Sequence, residues 1–412
     1  MASGVDFSKL QNAPRLLIEA DLQPIQGTRF QPTGFPDLGA ATYTLHDGTE
    51  MLLVESSQSM ANRMEEVCWD RGASTPVKEL HELPYVQVRI GNKFLTSSWL
   101  ESHRLASAFI KDSTHANGKG MVEFFCEEFS LKKNKPLDWA LIHKKIFSLD
   151  PMCLLHGVFF ADKKWPGQPK VPRAISAFIE AADVGRAQSG GVKKDDVSHK
   201  TEEGQKATEG YGHVPYPRTE FTAKRVTAYF HIDLRQIRSY GLSPEAINLL
   251  IVLALFKIRT WLDSDMVLRT NCKLALADGI RLKEPKDYQL PEPVVLIEAL
   301  KDSIQQCKSL FSSVPTTVTW SPKPVIVELP ADLPASPTIP ESLSDQCRIE
   351  AKKAKSGERK VIVFEGPMDN EDLNVLKAAN PDQEKLHKVF EKLLGASRKT
   401  YGAESEDEEE TT

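Results

Sequence analysis

The stretch FTAKRVTAYFHIDL, Phe221 to Leu234, alternates apolar and polar residues over most of its length. Val226, Ala228, Phe230, Ile232 and Leu234 face one way; Thr227, Tyr229, His231 and Asp233 face the other. That period of two predicts a strand with one buried face. Pro14 to Leu22 repeats the pattern, with Leu16, Ile18, Ala20 and Leu22 opposite Leu17, Glu19 and Asp21. Met51 to Val54 and Tyr85 to Ile90 read as further strands, and Ser56 to Trp69 as a helix capped by Ser56 or Ser57. Ser98 with Glu101 has capping-box spacing for a helix running to about Ile110. Asp138 to Leu149 reads as helix, Met152 to Phe160 as a buried strand, and Ala174 to Ala182 as strand or helix. Pro244, after Ser243, opens a helix whose apolar face holds Ile247, Leu250, Ile251, Ala254, Leu255, Ile258 and Trp261. Val294 to Phe311 is another helix, Lys360 to Phe364 a strand and Asp382 to Leu394 a last helix. Strands so far apart in the chain predict an α+β sheet domain with large insertions, not a regular βα alternation.

At 412 residues, 41% hydrophobic and 26% charged, the chain can build one large core or two. The net charge of −5 is misleading, because Glu404 to Glu410 holds six acids and no base. Without that block the body is close to neutral, so charge alone does not point to nucleic acid. The six cysteines form no Cys-x-x-Cys and no zinc-finger spacing, as expected of a reduced protein that uses them for packing. No secretory signal is expected at the N-terminus. The longest apolar run, Ile247 to Phe256, is broken by Asn248 and too short to span a bilayer. These features predict a cytoplasmic protein with no membrane partner.

Two tracts carry candidate chemistry. Gly185-Arg186-Ala187-Gln188-Ser189-Gly190-Gly191 sets one guanidinium and two polar side chains among three glycines. Glycines permit φ > 0 and close backbone approach, and successive turn N–H groups can form a concave anion site. Gln26-Gly27-Thr28-Arg29-Phe30-Gln31-Pro32-Thr33-Gly34-Phe35 leaves a strand end with an Arg, polar donors and two rings. Arg29 could clamp a phosphate and Phe30 or Phe35 could cover a base; equally, the Phe side chains could enter the core. Ser57, Gln58, Asn62 and Arg63 lie in the first turns of a helix, where free N–H groups favour phosphate. The alternative is that Ser serves only as a cap and Arg63 pairs with Glu66 or Glu55. Arg173 precedes the second tract. Gly185 and Gly190 have the glycine spacing of a nucleotide loop, but Gly191-Val192 stand where Lys and Ser/Thr are needed. No His-Glu-x-x-His or His-x-His occurs. Glu19 and Asp21 share a strand face and could bind a metal together, or simply be solvated. The expectation is a surface holding a polyanion, single-stranded nucleic acid above all, with no cofactor and no catalytic residues. Gly190 to Pro217 reads as a long mobile loop.

The same tracts carry a family resemblance. Pro14–Gly39 (PRLLIEADLQPIQGTRFQPTGFPDLG), Leu52–Trp69 (LLVESSQSMANRMEEVCW) and Asp183–Val192 (DVGRAQSGGV) resemble the type I-U, now I-G, CRISPR surveillance-complex backbone subunit, of the repeat-associated (RAMP) superfamily. The similarity covers most of residues 10–310, including Phe221 to Leu234. It implies an RRM-like (ferredoxin-like) palm with large thumb and finger insertions. It implies a non-enzymatic subunit whose copies line up along CRISPR RNA in a helical filament beside other surveillance-complex subunits. The guide then pairs with invading target DNA, so base pairing reads the sequence and the protein reads backbone and shape. On this reading Gln26, Gly27, Thr28, Arg29, Phe30, Gln31, Ser57, Gln58, Asn62, Arg63, Arg173, Gly185, Arg186, Gln188, Ser189, Gly190 and Gly191 contact RNA. The sequence lacks an obvious RRM aromatic signature, which argues against stacking on the sheet face. The alternative within the superfamily is a metal-dependent RNA-processing nuclease. Residues 1–310 would form the RNA-binding core, 311–401 a connector with seven prolines between Ser313 and Gln346 plus a helical segment, and 402–412 an acidic disordered tail.

Overall fold

The computed structural model describes residues 5–35, 38–193, 214–321, 324–333, 336–354, 357–381 and 383–401. They form two compact units. The first comprises Met1–Pro84, Pro136–Ala161 and Gln168–Val314; the second comprises Tyr85–Lys135, Asp162–Gly167 and Pro315–Thr412.

The first unit is built on strands β1 (Leu16–Pro24), β2 (Thr42–Thr44), β3 (Glu50–Glu55), β4 (Ile175–Lys193), β5 (Val214–Ile232), β6 (Met266–Arg269) and β7 (Cys272–Glu284). They make one antiparallel sheet in the order β6-β7-β1-β5-β4-β3-β2. The alternation in the sequence fixes its buried face. Ile18 lies opposite Phe230, Ala20 opposite Ala228 and Leu22 opposite Val226, and all six are buried. A one-residue slip would turn every one of them to the other face, so the register is strongly specified.

Helices α1 (Ser57–Glu66), α2 (Trp139–Leu149), α3 (Met152–His156), α4 (Leu234–Ser239), α5 (Pro244–Leu262) and α6 (Pro293–Cys307) complete the unit. α1 packs on β4 and α5, and α5 packs on α6. α1 starts where expected because Ser56 Oγ accepts from Ser59 N at 3.3 Å. α5 starts at Pro244 behind the cap Ser243 and is buried around nearly its whole circumference. Even Lys257 is buried there, with its Nζ 2.9 Å from His156 Nε2. The chain order around the central strands is β1-α1-β4-β5-α5-β7.

In the second unit Thr316–Trp320 pairs in parallel with Val86–Ile90, flanked by Ser113–His115 and Lys93–Ser97. A separate antiparallel sheet, Val325–Glu328, Gly357–Phe364 and Cys347–Ala354, carries helices Asn370–Ala378 and Glu384–Tyr401. Their shared core includes Ile362, Phe364, Leu376, Leu386, Phe390 and Leu393.

Several expectations are corrected. The predicted helix from Ser98 reduces to Arg104–Ala106 and Ala108–Lys111. Ser98 Oγ accepts from Val86 N at 3.2 Å, and Glu101 takes the Thr96 hydroxyl at 2.7 Å, so neither is free for a capping box. Met152 to Phe160 is a buried helix to His156, stopped by Gly157 at φ +81°, then a strand of two residues. The 313–346 connector is partly sheet, and it clusters with residues 85–135 rather than starting a new piece at 311. At the supposed loop 190–217, Gly190–Lys193 pairs with Val214–Pro217; residues 194–213 and the tail from 402 lie outside the described residues. Among the described residues no helix is long and apolar enough to cross a membrane.

Leu253, fully buried in α5, reports on the core. Leu253→Ala should lower the unfolding free energy in urea by about 2–5 kcal/mol. The same truncation at exposed Leu38 should stay within about 0.5 kcal/mol.

Candidate nucleic-acid interface

β4 and β5 are longer than the sheet that holds them. β3 pairs with β4 only over Ile179–Ala182, and β1 pairs with β5 only down to Val226. Beyond these points β4 and β5 continue as a two-stranded ribbon, from Val184 opposite Ala223 to Lys193 opposite Val214. Asp183 marks the transition. Its φ is +54°, a conformation Asp tolerates better than most residues, and its carboxylate lies 3.8 Å from Lys224 Nζ.

The Gly185–Gly191 tract lies in this ribbon, which corrects its reading as a left-handed anion-binding turn. None of Gly185, Gly190 and Gly191 has positive φ. Their role is steric. A Cβ at Gly190 would stand 2.9 Å from the Tyr216 carbonyl oxygen, and one at Gly191 would stand 2.8 Å from the Tyr216 hydroxyl. At Gly185 it would meet Thr222 Oγ1 at 2.9 Å.

Directly opposed residues share a ribbon face. Arg186 and Gln188 therefore lie with Phe221 and Thr219, whereas Ala187 and Ser189 lie with Glu220 and Arg218. The Gln26–Phe35 tract threads past both faces. Phe30 and Phe221 exchange both backbone hydrogen bonds at 2.9 Å, and both rings are buried. Phe30 is thus a core residue that fixes the tract, not a cover for a base. One groove is lined by Pro24 to Arg29, Glu220, Thr270, Asn271 and Lys273. The other is lined by Gln31 to Gly34, Leu38 to Ala40, Thr42, Arg186, Thr219 and Phe221.

In the first groove Arg29, 55% exposed, reaches Glu220 Oε2 at 3.2 Å. Gly27 turns the chain at φ +72°, and Gln26 and Thr28 are exposed. Arg218 lies over the Tyr216 ring, and the Asn271 amide oxygen, turned to it, accepts from both its terminal nitrogens at 2.9 and 3.2 Å. In the second groove Gln31 lies with Arg186.

The tract is held from behind by a buried carboxylate. Glu55, at the end of β3, is ion-paired with Arg269 and accepts from Ser59 Oγ. Arg269 also donates to Gln31 O at 2.9 Å and Val54 O at 3.3 Å. Arg63 belongs to this brace, with Nη2 2.6 Å from Leu268 O and further contacts to Glu55 and Glu66. Its guanidinium is engaged by the protein, including both acidic partners that the sequence offers as the alternative to RNA. Burial here also pushes the neighbouring Cys272 thiol up to about 11.

Ser57, Gln58 and Asn62 sit on α1, with Gln58 and Asn62 exposed, and line neither groove. Arg173 precedes the far end of β4, roughly 40 Å from Arg186 at about 3.3 Å per residue. The Phe35 side chain lies outside the described residues.

Glu220, Arg218, Asn271 and Lys273 were missed by the sequence reading. Pro215 and Pro217 interrupt any periodicity at Arg218 and Glu220, while Asn271 and Lys273 arrive from a hairpin far along the chain. On the sheet's other face Phe178 and Tyr229 stack at 5.0 Å. Asp21 accepts Arg281 and the Thr227 hydroxyl, and the Arg281 guanidinium holds its carboxyl below the usual range.

Residues 16–186 match the family model described as CRISPR-associated protein GSU0053. Among solved structures the chain is similar to one in "CRISPR RNA-guided surveillance complex, pre-nicking", at 14% identity, covering 73% of this chain and 89% of that one, with a TM-score of 0.35. It is also similar to Thermofilum pendens Csc2, at 10% identity, covering 74% and 80%, with a TM-score of 0.26. No curated protein matches it.

Gly190→Val should open the ribbon end, because its clash is with backbone, whereas Gly191→Ala need only displace a flexible ring end. Amide exchange around 188–192 and 215–219 should accelerate for the first variant only, with the thermal midpoint of both unchanged.

Proposed function

We propose that this chain is a non-catalytic, RNA-binding backbone subunit of a type I CRISPR surveillance complex. Copies assemble along CRISPR RNA with other subunits in the cytoplasm and present the guide to invading DNA. The observation that carries this reading is the convergence of the two tracts on either side of one ribbon root. There Arg29 and Arg186 stand exposed among Gln26, Thr28, Gln31 and Gln188. Such a surface supplies phosphate contacts and neutral donors along a strand without reading its bases. The family match over residues 16–186 supports the assignment.

The order β7-β1-β5-β4, with α1 and α5 in the two connections, supports an RRM-like palm, a β-α-β-β-α-β unit. The ribbon is then its thumb-like insertion. A metal-dependent nuclease would draw on Glu19 and Asp21, but these carboxylates are occupied by Arg281, with Lys283 3.8 Å from Glu19.

Titration of guide-length single-stranded RNA at several salt concentrations tests the reading. Arg186→Ala and Arg29→Ala should each weaken binding for all sequences alike. Each should also reduce the slope of log K against log salt by about 0.7. Arg63→Ala should instead lower the melting temperature and leave the slope unchanged. Unaltered affinity and slope in Arg186→Ala would remove the ribbon from the RNA site.

A further inference from the structure

Glu220 is an unexpected residue for a phosphate-binding groove. Its side chain is only 9% exposed, and its Oε2 is met by Arg29 alone, at 3.2 Å. Among the described residues no other donor reaches the carboxylate, although it lines the first groove. Its carboxylate is not among the fully buried atoms that lack a partner, so its free lone pairs face the groove, and an occupant that displaces water there leaves them costly unless it satisfies them. A phosphate cannot satisfy them, because it brings acceptors and negative charge. The occupant must bring a hydrogen-bond donor.

The rest of the groove narrows the choice. Its lining is Pro24, Ile25 and small or polar side chains, with no aromatic ring on which a base could stack. Arg29 and Lys273 both line the groove as cations, for the phosphates that flank a sugar. The donor that a sugar–phosphate backbone can offer is the ribose 2′-hydroxyl, the group that separates RNA from DNA.

We infer that Glu220 accepts the 2′-hydroxyl of one bound ribonucleotide and so makes the groove selective for RNA over DNA. This rests on the RNA-binding reading above and names the residue that sets its strand chemistry. Arg29 orients the carboxylate and also contacts the phosphate. A filament on RNA would thereby avoid coating single-stranded DNA, with no base being read.

The test compares labelled RNA and DNA of identical sequence, and RNA with 2′-O-methyl groups, on wild type and Glu220→Met. Removing the charge raises affinity for all three polyanions, so the RNA-to-DNA ratio is the readout. Wild type should prefer RNA over both other strands by about tenfold or more, as expected for a hydrogen bond to a charged acceptor. Glu220→Met should bring the ratio close to one. An RNA preference that survives Glu220→Met, or equal wild-type affinity for RNA and 2′-O-methyl RNA, overturns the inference while the RNA-binding reading stands. Should Glu220→Met not fold, the wild-type comparison with 2′-O-methyl RNA decides alone. Wild type that binds none of the strands overturns the functional reading itself, and the inference with it.

Discussion

The pairing of β4 with β5 is the constraint on which the first unit depends. It runs from Ile175 opposite Ile232 to Lys193 opposite Val214. At one end the two strands are the middle of a buried sheet, with Ile175, Ala177, Ile179 and Ala181 against the helices. At the other, among the described residues, they pair as strands only with each other and, at the bridge, with Phe30. Ribbon residues therefore inherit their register from the core. A change in sheet packing would move Arg186 and Glu220 together, and neither can shift along the ribbon without turning to the opposite face.

A ribbon without a core of its own needs another source of rigidity. The buried Phe30–Phe221 contact holds its root, and the Glu55–Arg269 pair holds the tract that supplies Phe30. Breaking a buried ion pair by removing one partner costs several kcal/mol, because the other charge stays behind. Arg269 thus acts on the site at a distance, by fixing the Gln31 carbonyl. Arg63 and Arg269 look like surface cations in the sequence, yet their partners are chiefly backbone carbonyls and one buried acid.

The legible parts of the fold were those with local signals. Period-two alternation located β1 and the inner half of β5, and the Ser243-Pro244 start located α5. The ribbon was illegible because Gly, Ser and Pro at these positions normally signal turns. What makes them strand is non-local, namely the Tyr216 backbone and ring passing over Gly190 and Gly191. The grouping of residues 85–135 with 315–412 was hidden for the same reason, since it depends on a parallel pairing of Val86–Arg89 with Thr316–Thr319. Of the site, the two tracts were found by composition, but their division between two ribbon faces was not. Glu220 gave no signal, since only its burial beside a groove distinguishes it from any solvated acid.

On the proposed reading, the placement of charge favours the ribbon over the sheet as the surface that meets nucleic acid. On the open face Glu19, Asp21 and Glu180 are engaged by Arg281, Lys283, Thr227 and Tyr43. Phe178 and Tyr229 stack on each other there, so their faces are already half used. A phosphate arriving on that face would have to compete with Glu19 and Asp21 for the same cations. At the ribbon root the balance reverses: Arg186 is exposed, Lys273 is exposed, and the one acid among the described residues lining the two grooves, Glu220, is covered by Arg29. The two surfaces share β4 and β5 but differ in how their acids are held: Glu19 and Asp21 occupy the cations of the open face, whereas Arg186 has no acidic partner among the described residues and Glu220 occupies Arg29 alone.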